Sequence, residues 1–176
     1  MHRLTTAKRK PSSGDGPGKA ILTIAVVLLI GGGVGAYFWN RAAATGVARR
    51  YMALSMSLEG VDTGDFRKLK QVVTEADVTR LTETEAAMNG APNPVWSLLA
   101  EVMSEATVDV EVSDASVGLT EAAVETQTTA ATAERTTTLP GVVILVREGL
   151  AWKVDRRASE EASYTAIREH HGLPEQ

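Results

Sequence analysis

The chain has 176 residues, 44% of them hydrophobic and only 5% aromatic, with three His, no Cys and a formal net charge of −4. Zero Cys excludes disulfide staples, thiol chemistry, Cys-ligated zinc and a lipoprotein anchor. Charge is split along the chain: residues 1–19 carry Arg3, Lys8, Arg9, Lys10 and Lys19 against Asp15, whereas residues 40–176 carry 13 Lys and Arg against 21 Asp and Glu. An acidic region of that size, without a basic stripe, disfavours nucleic-acid binding.

Residues 1–19, with Pro11, Ser12, Ser13, Gly14, Gly16, Pro17 and Gly18, read as a disordered basic tail. Residues 20–39 (AILTIAVVLLIGGGVGAYFW) follow without a single charge. At about 1.5 Å rise per residue, that length predicts a transmembrane helix and makes the lipid bilayer a partner. The basic tail then predicts a signal anchor with its N-terminus cytoplasmic and its C-terminal domain extracytoplasmic, periplasmic or extracellular. Tyr37, Phe38 and Trp39 stand where aromatic rings prefer the headgroup level. Cleavage of a signal peptide near Ala42-Ala43-Ala44 is the competing expectation, and it places the same domain outside the cytoplasm. Gly31 and Gly35 have the spacing of a helix–helix contact.

The remaining chain is long enough for one real core. It reads as an α+β domain over residues 40–158, with a C-terminal helix and tail over 159–176. Val47, Tyr51, Leu54 and Leu58 recur at helical spacing, and Gly60 ends that helix. Asp62 or Thr63 caps a second helix whose stripe is Phe66, Leu69, Val72 and Val73. Thr74 with Asp77, and Thr82 with Glu85, resemble N-terminal capping pairs of short helices that continue to Met88. Asn93-Pro94 opens a further helix with Trp96, Leu99, Val102 and Met103 on one face.

The period then changes. Val108, Val110 and Val112 alternate with Asp109, Glu111 and Ser113, as in a half-buried strand. Asp114-Ala115-Ser116 suits a turn, and Ala122–Thr132 and Arg135–Leu139 read as Thr-rich strands with one wet face. Pro140-Gly141 predicts a break or bulge. Val142–Val146 is apolar throughout and predicts a strand covered on both faces, turning at Glu148-Gly149 into Leu150, Trp152 and Val154. Ser159 is the expected cap of a last helix ending near His171 and Gly172.

Helices first, then a Thr-rich meander closed by a Trp-bearing hairpin, resemble the nuclear transport factor two-like superfamily. The likeness rests on Tyr51–Val73, with Thr63-Gly64-Asp65-Phe66 opening the second helix, and on VVILVREGLAWKVD at Val142–Asp155. It implies helices packed on a curved antiparallel sheet in a cone, with Tyr51, Phe66, Trp96 and Trp152 lining a cavity. An anchor ahead of such a domain is similar in layout to scaffold subunits of bacterial type IV secretion machines.

Catalytic chemistry is hard to place. His170 and His171 are adjacent, so on a helix they diverge by about 100° and cannot chelate as an i, i+4 pair. No phosphate-binding loop, nucleophile elbow or dinucleotide fingerprint occurs. Asp109, Glu111 and Glu125 fall on polar strand faces. The expectation is a non-enzymatic membrane protein without cofactor or metal, whose domain serves protein–protein interaction in a bacterial envelope complex, through other envelope proteins or self-association. The alternative is a tethered binder of a small apolar ligand or lipid.

Overall fold

The computed structural model describes residues 17–56, 66–88 and 106–173, with side chains from Gly32 onward. Helix α1 runs over Pro17–Met56, α2 over Arg67–Lys70 and α3 over Glu75–Met88. Strands β1 (Thr107–Val117), β2 (Glu121–Ala131), β3 (Thr136–Glu148) and β4 (Ala151–Val154) follow, then α4 (Arg156–His170). The chain divides into two compact units, residues 1–38 and 39–176. In the first, the exposed rings of Tyr37 and Phe38 meet edge to face at 5.9 Å.

Among the described residues no helix is long and apolar enough to cross a membrane. A span needs about 20 consecutive apolar residues, and no stretch of that length and apolarity occurs among the described residues. This corrects the transmembrane helix expected over residues 20–39. The membrane, bitopic and signal-anchor assignments, the cytoplasmic N-terminus and the extracytoplasmic domain are corrected with it. The side chains of Ala20–Gly31 lie outside the described residues.

The second unit is α+β, and its sheet is a four-stranded antiparallel meander in the order β1-β2-β3-β4. Alternation decides which side chains turn inward. The register sets Val117 opposite Ala122, Ala115 opposite Val124, Ala122 opposite Leu145, Val124 opposite Val143 and Leu145 opposite Val154. These side chains, with Trp152, form the inner face of the sheet. They share one core with Ala44, Ala48 and Tyr51 of α1, Phe66, Val72 and Val73 around α2, and Leu81 of α3. The small Ala44 and Ala48, one helical turn apart and fully buried, are the α1 residues that pack deepest.

Several local expectations change. Thr74 and Asp77 do form the capping pair: the Asp77 amide donates to Thr74 Oγ1 at 3.3 Å, and that hydroxyl donates to Asp77 Oδ2 at 2.9 Å. Thr82 is no cap, because α3 continues through it and its hydroxyl donates to the Val78 carbonyl. Val72 and Val73 are not helical. Val73 forms a parallel bridge to Val154, with Thr74 N donating to Val154 O and Val154 N to Val72 O at 2.9 and 2.8 Å. Asp114-Ala115-Ser116 is not a turn but strand, since a register shift between Val112 and Asp114 absorbs Ser113 and lets β1 continue to Val117.

Pro140 and Gly141 pair in unbroken register with Gln127 and Thr126. Proline is tolerated there because β4 pairs only with Leu145–Glu148, leaving β3 as the outer strand at Pro140. Gly141 is required by close approach: a Cβ there would stand 2.9 Å from Thr126 Oγ1. The last helix starts four residues earlier than expected. Asp155 is its cap, accepting from the Ala158 amide at 3.0 Å, while Ser159 is buried within the helix.

Candidate functional site

The domain is tied together by buried polar contacts that the hydrophobic pattern does not reveal. Asp77, 2% exposed, accepts from Thr74, from Arg80 Nη1 at 3.3 Å and from the Arg156 amide at 2.9 Å. One carboxylate thus joins the starts of α3 and α4, where helix dipoles favour negative charge. Trp152 Nε1 donates to Asn40 Oδ1 at 3.0 Å, and Asn40 Nδ2 donates to the Gly118 carbonyl at 3.2 Å. The Arg147 guanidinium stands 5.2 Å from the Trp152 ring. Next to Asn40, Arg41 bonds Asp114 at the β1 bulge at 2.9 Å. The Asp114 carboxyl is held below its ordinary pKa of 3.8, first by the Ala115 amide it accepts from and then by Arg41.

Tyr51, Phe66 and Trp152, the expected cavity residues, are brought together, and all three are buried in the common core. Trp96 lies outside the described residues. Gly35 is exposed with nothing within 4 Å of a Cβ placed there, and the surroundings of Gly31 lie outside the described residues.

Two of the sheet's three open edges are closed by identifiable devices. Residues 72–74 bridge the free side of β4. Along β3, beyond the reach of β4, α4 supplies hydroxyls in place of a strand. The amides of Ile144 and Val142 donate to Ser159 Oγ and Ser163 Oγ, both at 2.9 Å, and Ser163 Oγ donates back to the Val142 carbonyl at 3.0 Å. Ser159 and Ser163 are one helical turn apart, so both reach the same edge. The third edge belongs to β1, the last strand of the sheet, and no strand pairs with it among the described residues.

The outer face of β1 and β2 is acidic. Asp109, Glu111 and Asp114 on β1 and Glu121 and Glu125 on β2 are all exposed, and Asp114 lies directly opposite Glu125. Beside it, a cleft of about 600 Å³ runs between this face and the C-terminal half of α4, lined by Glu125, Gln127, Thr165, Glu169 and His170 among others. Among the described residues no three His, Asp or Glu side chains gather as they would around a metal ion. His170 and His171 contact one another edge to face at 5.1 Å.

Comparison with protein-family models, curated proteins and solved structures found no match. Neither family nor activity is therefore assigned by likeness. Of the residues that build this surface, Asp109, Glu111 and Glu125 were legible from alternation, whereas Asp114, expected in a turn, and Glu121 were not. Asp77 was legible as the partner of Thr74 but not as the acceptor of the Arg156 amide, Ser159 only as a cap, and Asn40 and Ser163 not at all.

Proposed function

We propose that this chain is an interaction module, not an enzyme, and that its α+β domain docks onto or assembles within a larger protein complex. One observation carries the reading. Tyr51, Phe66 and Trp152, the aromatic groups that a cavity binder would turn toward its ligand, are packed into one buried core with the sheet. What the domain offers to other molecules is consequently its outside, and there β1 and β2 carry five exposed acids and no Lys or Arg. Charged, exposed strand faces suit electrostatic recognition, which sets specificity and encounter rate. A superfamily likeness of the kind described from the sequence is compatible with this reading but does not select it, because one fold hosts many functions.

The test is gentle affinity purification of the full-length native protein through a C-terminal tag, followed by mass spectrometry and light scattering. A reproducible set of proteins in fixed ratio is expected. A lone monomer or homodimer would overturn the proposal.

A further inference from the structure

We propose that the outer edge of β1 is a docking edge that takes up an extended, cationic segment of a partner protein as a further strand. The inference rests on the interaction-module reading and gives it a place and a chemistry. Strand β1 is 11 residues long, and its outward backbone N–H and C=O groups form a template for another strand. The other open edges of this sheet are closed, β4 by residues 72–74 and β3 by the serines of α4. Along β1 the described residues show charge and a bulge at Ser113, devices that discourage indiscriminate pairing.

The sign of the charge selects the occupant. Asp109 and Glu111 project from the exposed face of β1 on alternate residues, with Asp114 beyond the bulge. A second copy of β1 paired antiparallel about Val110 would place Asp109 directly opposite Glu111, and like charges so placed are destabilising. A partner strand with Lys or Arg at alternate positions instead sets a cation opposite each acid, while its intervening apolar residues fall beside the half-buried Val108, Val110 and Val112. Backbone pairing supplies affinity, and the alternating charges supply register and choice of partner.

The experiment uses the full chain and fluorescent peptides of about ten residues, the length of a long strand. One alternates Lys with Val, one alternates Glu with Val, and one is the Lys–Val peptide N-methylated at alternate residues. The third keeps the charge but cannot donate backbone hydrogen bonds along one edge. Anisotropy titration is expected to show the Lys–Val peptide binding at least about tenfold more tightly than either control. Hydrogen exchange should show protection gained at Val108–Val112. Asp109→Lys with Glu111→Lys, at exposed positions, is expected to abolish the preference with an unchanged circular dichroism spectrum. Equal binding of the N-methylated peptide, or full binding by the charge-reversed variant, would overturn the edge. So would β1 amides already protected in a homodimer without peptide. Each of these outcomes leaves the co-purification test of the broader reading untouched, so the two can fail separately.

Discussion

Trp152 offers the most direct test of how the core is built. Its ring is 4% exposed, its indole N–H bonds Asn40 at 3.0 Å, and Arg147 lies over it at 5.2 Å. Trp152→Ala removes the largest side chain of the core and leaves a cavity, a change that costs about 3–5 kcal/mol. Of that, the indole hydrogen bond accounts for about 1 kcal/mol and the exposed cation–π contact for about 0.5 kcal/mol. The rest is lost packing. Urea unfolding of the full chain followed by far-ultraviolet circular dichroism reads the total. With a slope of about 2 kcal/mol per molar, the midpoint should fall by about 2 M. Trp152→Phe keeps most of the ring and should cost about 1–2 kcal/mol. A double-mutant cycle with Asn40→Ala then isolates the hydrogen bond, with a coupling of about 1 kcal/mol expected. A Trp152→Ala protein whose stability changes by less than about 1 kcal/mol would refute the packing account.

Asp77→Ala strips the acceptor from the Arg156 amide and the Thr74 hydroxyl in a buried site, so a loss of about 2–4 kcal/mol is expected, with faster exchange of the Arg156 amide. Ser159→Ala combined with Ser163→Ala uncovers the β3 edge. Exchange at Val142 and Ile144 should accelerate, and light scattering should show concentration-dependent self-association. Asp114 has a folded pKa below its ordinary 3.8, so its contribution is present above that value and lost as pH falls through the lowered one. The stability gap between wild type and Asp114→Asn should therefore close as pH drops from about 5 to about 2. Because the pair is exposed, the gap should also shrink in about 1 M salt.

The parts of the fold legible in the sequence are those decided within a few residues. The Thr74–Asp77 cap, the alternating valines of β1 and the Gly149 turn into β4 all follow from local backbone geometry. Gly149 and the helix-ending Gly172 both take the left-handed conformation, at φ of 63°, which glycine alone adopts without strain. Distance in the chain decided the rest. Whether Asp114-Ala115-Ser116 turns or bulges depended on Arg41, 73 residues away, meeting Asp114 and on β2 continuing the ladder. Val72 and Val73 carry a helical spacing of apolar residues, yet Val72 lies in a turn and the bonds on either side of Val73 bridge it to Val154. Pro140 reads as a breaker, but β4 is too short to require its missing donor. Ser159 looks like a cap, and instead its hydroxyl satisfies a strand edge across 15 residues. Alternation alone put the acids of β1 on a wet face. Only the order of the strands made that face the border of an edge unpaired among the described residues, because side-chain period is a local property and a strand's neighbours are not.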